Sequence, residues 1–389
     1  MSHAEGADAA KSRPPLPLIF AITVTGITGN TVITPSLPEI LAGVDARPEL
    51  AGLLIGAATL PGIVLAPIIG VLADRYGRRE VVVPCLALFG IAGGLAALAP
   101  NLPVLVGLRL LQGAGSAGLI NLAVVLIGDH WEGADRVRIL GRNAAVLTSS
   151  LAVLPVAGGA LTDLAGWRAP FVVYLIGLPA AWFVWRRLPR SVPRDVAIRD
   201  QVRGALPLLR TPAVLGTLGL GFVAFALIFG LLLTALPIHL AEGFGIGPSL
   251  RGVFLGLPAL ANTAVALSIG RFQRFTFRQQ LGAAAALFVV GLGGVAVAPT
   301  LLLLIAAIVC FGAGEGLMLP NLQAAAAGAG TDEQRGTIVA LFVSAARLGQ
   351  TLGPIGASAA LGLVGADGTF AVGAGISALM LVAIVARRR

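Results

Sequence analysis

G-V-L-A-D-R-Y-G-R-R, residues Gly70 to Arg79, sets one acid, three arginines and two glycines between two long apolar runs. A charged tip between two runs of that kind reads as the hairpin joining two membrane spans. Gly70 is small enough for two helix backbones to approach closely, Gly77 is the second glycine of the tip, and Asp74 is an anion beside the membrane surface. Arg75, Arg78 and Arg79 are cations of the sort that favours the cytoplasmic face.

Working outward, the rest of the 389 residues has the same character: 57% are hydrophobic and only 12% charged, with a mean hydropathy of +0.93. A soluble chain carries about 25% charged residues. Breaks at charged and turn-rich stretches leave roughly twelve apolar segments of about 18 to 28 residues, each able to cross a hydrocarbon core of about 30 Å as a helix. The expected spans run at about 15–38, 50–72, 81–99, 103–128, 142–164, 169–188, 212–240, 250–270, 281–298, 301–328, 337–364 and 369–386. Barrel strands would be about 10 residues long and strictly alternating, which these are not. The expected class is an all-α membrane protein of twelve transmembrane helices.

The formal charge is +9, with Lys11 the one lysine. Roughly 22 of the basic residues fall in alternate loops on one side and about three, Arg47, Arg168 and Arg251, on the other, so the positive-inside bias puts both termini in the cytoplasm. That expectation carries with it a multi-pass protein of the inner (plasma) membrane, with the lipid bilayer as its surroundings. No basic folded face remains for nucleic acid. The first apolar run lacks a small-residue cleavage site and is expected to be a retained span. Cys85 and Cys310 sit inside apolar spans as packing thiols. No P-loop is present, and His3, His130 and His239 have no metal-ligand spacing, so neither ATP, a metal nor another cofactor is expected, and no nucleophile stands beside a base.

The chain also repeats itself. Leu37-Pro38 and Leu41 recur as Leu236-Pro237 and Leu240, Gly52 and Gly56 as Gly252 and Gly256, and Gly70 and Arg78 as Gly270 and Arg278. Gly113-Ala114-Gly115 recurs as Gly312-Ala313-Gly314, and Pro155 as Pro354. The offset is about 199 to 200 residues throughout, the mark of a parallel internal repeat. The expected organisation is a cytoplasmic tail at 1–14, a six-helix bundle at 15–188, a cytoplasmic linker at 189–210 carrying Arg190, Arg194, Arg199 and Arg203, and a second six-helix bundle at 211–389 with a short basic tail. Where the first half has Asp74 the second has Arg274, so any task of that acid belongs to one half.

The Gly70–Arg79 string resembles the signature loop between the second and third helices of major facilitator superfamily transporters, and span count, linker and duplication agree with that resemblance over the whole chain. The fold it implies is two pseudo-symmetric six-helix bundles, with a cavity lined mainly by the first, fourth, seventh and tenth helices. It also implies that Asp74 helps lock the cytoplasmic ends of the halves together, with Arg78 bridging to Asp129 at the end of the fourth span. The string R-L-L-Q-G-A-G-S-A, from Arg109 to Ala117, resembles the family's fourth-helix motif, whose arginine is linked to proton transfer. The fifth span, with Gly141, Ser150, Leu154-Pro155 and Gly158-Gly159, resembles the motif of the drug:proton antiporters, although Ser150 and Leu154 replace two of its glycines. The eleventh span repeats part of it as Gly353-Pro354.

The residues support parallel readings. Arg109, Gln112 and Ser116 share one helix face. An arginine inside a span must find protein or water, so Arg109 either serves proton transfer or fixes packing against carbonyls and Asn side chains of a neighbouring helix. Glu315 is the one carboxylate deep within a span: it is either a proton carrier or half of a static ion pair with Arg347 of the eleventh span. Asn30, Asn121, Thr234, His239 and Asn262 are further cavity candidates, and the four tryptophans read as interfacial anchors.

These readings converge on a secondary active transporter, proton-coupled, monomeric, and exporting amphipathic or hydrophobic small molecules by alternating access. A uniporter or importer of a sugar or organic anion, with Arg109 and Arg347 holding a carboxylate, is the alternative within transport; a non-transporting membrane sensor is the alternative outside it.

Overall fold

The computed structural model describes residues 13–189, 208, 211–272, 274–330 and 332–386. Lys11, the linker arginines Arg190, Arg194, Arg199 and Arg203, and Arg387 to Arg389 lie outside the described residues. Among the described residues eleven helical stretches are long and apolar enough to cross a membrane. They are α1 (Leu16–Gly43), α2 (Pro48–Tyr76), α3 (Arg78–Leu98), α4 (Leu102–His130), α5 (Gly133–Ala165), α6 (Ala169–Arg187), α7 (Pro212–Phe244), α8 (Pro248–Leu267), α9 (Phe277–Val297), α10 (Leu301–Gly328) and α11 (Asp332–Ala386). Most begin and end within a few residues of the sequence expectation. The difference is the last: α11 covers 55 residues as two helices joined directly at Gly365, where a non-helical φ of 68° and ψ of −176° makes a kink.

Local chemistry starts and stops these helices. Asn101 accepts from the Val104 amide at 3.1 Å to open α4, and Thr276 and Gln279 form a reciprocal capping box at the start of α9. The chain passes from α2 to α3 through the single residue Gly77, at φ 103° and ψ 147°, a left-handed conformation that any side chain would strain. Within α7, Ile228–Ala235 opens into a π-helix, and the Thr234 hydroxyl donates to the Phe229 carbonyl at 2.8 Å, five residues back.

The buried apolar residues fall into clusters that follow the chain. The largest runs from Leu208 to Ile384; two others draw their buried members from Leu18 to Leu188. Repeated positions make repeated contacts. A Cβ on Gly113 of α4 would overlap Ala58 of α2, and one on Gly312 of α10 would overlap Pro258 of α8. Gly115 meets Cys85 and Phe89 of α3, and Gly314 meets Ala284 and Phe288 of α9. Small residues let these backbones touch where no hydrophobic drive from water exists to force them together. Trp182 and Trp185 are exposed beside Arg186, as anchors should be, but Trp131 is buried in a core cluster, a departure from the expectation of four interfacial tryptophans.

Candidate functional site

The α2–α3 turn carries a three-residue ion cluster. Arg78 Nη2 lies 2.6 Å from Asp74 Oδ1, and Arg78 Nε lies 3.2 Å from Asp129 Oδ2 at the end of α4. Asp74, one helical turn before Arg78, and Asp129, 51 residues on, thus share one largely buried guanidinium and tie α2, α3 and α4 together. Arg75 leans over the Tyr76 ring at 5.7 Å. Around Gly70 the expected close helix approach is absent: a Cβ there would find no atom within 4 Å.

The reason is visible at the other three helices of the same boundary. On this side, which carries the Asp74 turn, Gly141 of α5, Gly270 just after α8 and Gly336 of α11 are equally free of neighbours. The expectation of close approach at Gly70 is therefore corrected. On the far side the same helices are pressed together. A Cβ on Gly52 of α2 would overlap the Pro354 carbonyl of α11, and one on Gly252 of α8 would overlap the Pro155 carbonyl of α5. The glycine and proline pairs that the duplication picks out are thus each other's partners, crosswise. Gly158 and Gly159 extend the contact, against Val32 of α1 and Pro248 of α8, while the Gly353 carbonyl meets Gly230 of α7 and Gly353 itself the Ala226 carbonyl.

Polar groups close this far side further. Arg251, at the start of α8 and 2% exposed, donates to both oxygens of Glu39 on α1, the Nη1 contact being 2.9 Å. It also donates to the Pro35 and Ile246 carbonyls, each at 2.7 Å. Asp163 of α5 accepts from the Ser249 amide at 3.0 Å and from its hydroxyl. Thr59 of α2 meets the Thr351 hydroxyl of α11 at 3.0 Å, and the Gly52 amide donates to Ser358 Oγ at 2.6 Å. None of these pairs was anticipated from sequence. One signal was present: Arg251 is among the few cations set against the charge bias, and a lone cation on that side needs a partner.

Arg109 is completely buried inside the first bundle. Its Nη1 donates to Gln112 Oε1 at 2.6 Å and to the Gly29 carbonyl at 2.7 Å, and Nη2 donates to Asn30 Oδ1. Tyr174 donates to the same Gly29 carbonyl at 2.7 Å and lies 3.4 Å from Nη1. Arg109, Gln112 and Asn30 are therefore brought together, as one knot joining α1, α4 and α6. These are the carbonyl and Asn contacts that the packing reading of Arg109 describes. Arg109 Nε and Gln112 Nε2 are buried without a partner. Ser116 is half-buried and turns back to the Gly113 carbonyl at 3.2 Å, whereas Asn121 is exposed. Thr234, fully buried and bonded to its own helix, lines no open space.

Glu315 is half-buried near the middle of α10, within hydrogen-bonding reach of the Asn262 side chain of α8. The packing that holds them together is close: a Cβ on Gly316 would stand 2.7 Å from the Asn262 carbonyl oxygen. The ion pair with Arg347 considered above does not form, since Arg347 reaches across to α4 and donates to the Ala117 carbonyl at 3.3 Å. His239 lies apart from all these, with Nδ1 3.4 Å from Asp367 Oδ1 on the far side. An apolar cavity of about 600 Å³, lined by Leu220, Leu281, Leu322 and Arg278 among others, lies within the 211–386 region and contains none of the sequence-picked residues. Among the described residues no group of three His, Cys, Asp or Glu is placed to hold a metal ion.

Comparison with known proteins agrees with this architecture. The pattern of the Major Facilitator Superfamily matches residues 19–274 and 218–389. In Bacillus subtilis, the MFS-type transporter YdgK is 28% identical over 268 residues, covering 66% of this chain and 65% of the relative. The bacillibactin exporter of that organism is 26% identical over 342 residues, 84% of each chain. Its multidrug transporter protein MdtP is 31% identical over 172 residues, 44% of this chain but 31% of the relative. The match thus spans just under two thirds of the first of these relatives and about a third of the last. Among solved structures, the nucleoside transporter NupG superposes with a TM-score of 0.78 over 96% of this chain and 100% of that one, at 12% identity, a likeness of fold alone. A family pattern running from residue 19 to the last residue, on helices that pack this way, makes this chain a member of the major facilitator superfamily of membrane transporters.

Proposed function

We propose that this protein is a proton-coupled exporter of amphipathic or hydrophobic small molecules, working by alternating access. The observation that carries the reading is the asymmetry of the α2–α11 and α5–α8 seams, closed at Gly52, Gly159 and Gly252 and parted at Gly70, Gly141, Gly270 and Gly336. A molecule sealed on one face and open on the other is one end of a rocking cycle. The moving bodies are the bundles 15–188 and 211–389, tethered by 189–210. Twelve crossings follow if α11 passes twice, turning at Gly365, since its length is more than twice a hydrocarbon core of about 30 Å. The positive-inside bias supports cytoplasmic termini in the inner (plasma) membrane, which makes the observed form inward-open. The protein works as a monomer.

Asp74, Arg75, Gly77, Arg78 and Asp129 form the cytoplasmic latch, disengaged in this form and meeting the second bundle when that side closes. Glu315 carries the coupled proton, because it is a carboxyl within a span with an amide rather than a cation for a partner. Export is supported by the drug-antiporter resemblance of the fifth span and by relatives named as an exporter and a multidrug transporter. Everted vesicles carrying the protein, with the lumen made acid so that protons run outward, accumulate a dye-like amphiphilic drug more than vesicles without it. Absence of gradient-driven movement across a drug panel overturns the reading.

A further inference from the structure

The helices that close the far side separate at one residue. Along α2 the contacts with α11 run from Gly52 at Pro354, through Gly56 and Thr59 at Thr351, to Gly62, where a Cβ would stand 3.3 Å from Arg347 Nη1. Beyond it Gly70 meets nothing. Arg347 is therefore at the apex of the space between the bundles, half-buried, on the face that opens.

The other arginines withdrawn from water each hold several protein acceptors. Arg78 has two carboxylates, Arg109 has two side-chain amides, a carbonyl and a phenol, and Arg251 has a carboxylate and two carbonyls. Arg347 has the Ala117 carbonyl at 3.3 Å, an acceptor exposed by the break of α4 between Ser116 and Leu119. Among the described residues no carboxylate lies within 4.0 Å of it. A guanidinium has five N–H donors in a planar fork matched to a carboxylate, and a cation held inside a membrane protein without a counter-ion is costly. Arg109 also has no carboxylate but is fully buried among protein acceptors, so Arg347, half-buried on the face that opens, is the one of the two that an anion from outside can reach.

We propose that Arg347 recognises the substrate, holding the carboxylate of an acidic amphiphile at the apex of the inter-bundle space. This rests on the transport reading above and narrows its substrate class. One cation fits one singly charged, planar group. Arg109, which the sequence offered as a second anion ligand, is completely buried within the first bundle, so a dianion finds no second site there.

The test is equilibrium binding without any gradient, on the full chain in nanodiscs of neutral lipid, with 2-naphthoate and its uncharged isostere 2-naphthamide as probes. Wild type is expected to bind the acid at least tenfold more tightly than the amide. Arg347→Gln abolishes that preference while the amide affinity stays within twofold, and Arg347→Lys keeps part of it. Equal affinity of wild type for acid and amide, failure of both to bind, or a preference that survives Arg347→Gln each overturns the proposal. Binding that follows this pattern without gradient-driven flux leaves the anion site standing and removes the transport reading; flux without acid preference does the reverse.

Discussion

Removing the Arg251 guanidinium tests how the far side is held shut. Arg251 makes three contacts across the two bundles, two to Glu39 and one to the Pro35 carbonyl, and one within its own bundle to Ile246. Truncating one partner of a buried ion pair costs about 3 to 5 kcal/mol, but the Glu39 side chain is 33% exposed and its charge is partly screened, so about 1 to 3 kcal/mol is the expected loss. The pair exists only while the far side is closed, so Arg251→Gln moves the equilibrium toward the far-open form by that amount, a factor of roughly 5 to 150. The reporter is a cysteine at Ala51, fully buried at the far end of α2, in a background with Cys85 and Cys310 replaced by serine. Its reaction with an impermeant maleimide added on the far side should quicken by about that factor. Arg251→Lys, which keeps charge but not the fork, should fall between. A rate within twofold of the parent's refutes the view that this pair is a gate.

Gly52→Ala places a methyl against the Pro354 carbonyl and should shift the population toward far-open in the same labelling assay, whereas Gly70→Ala, with open space beside it, should leave the far-closed form unchanged. Glu315→Gln should abolish proton-driven flux while solute exchange across reconstituted vesicles persists; driven flux at the wild-type rate removes Glu315 as carrier. Asn30→Leu strips Arg109 Nη2 of its acceptor inside a sealed knot and should lower stability by about 2 to 4 kcal/mol, read as a drop in detergent melting temperature. Asp74→Asn should raise the share of the loop-side-open form if the latch acts in the closed one, seen as faster labelling of a cysteine at Gly70.

What sequence disclosed was local or periodic. Span limits follow from hydropathy and bilayer thickness, and the Arg78–Asp129 pair was implied by the family resemblance of the Gly70–Arg79 loop. The duplication even marked both members of the Gly52–Pro354 and Gly252–Pro155 contacts, though not that they touch. The Arg251–Glu39 pair joins residues 212 apart, and the Thr59–Thr351 pair residues 292 apart; no local pattern reports such partners. Arg347 and Glu315, each short of a partner on its own helix, invited pairing, but the kinked carbonyl of Ala117 and the amide of Asn262 stand nearer in three dimensions. The neighbours of Gly70 and Gly141 depend on which face is open, a property of the conformer and not of the chain.

Spin-label distances across both faces test the alternating-access account most directly. One pair, at Leu164 and Leu250, spans the far side, and one, at Val137 and Phe275, spans the side of the Asp74 turn; all four residues are exposed. As pH or an added substrate shifts the population, the far-side distance should lengthen whenever the other shortens, with the two changing in equal proportion. Distances that stay fixed, or that lengthen together, would contradict it.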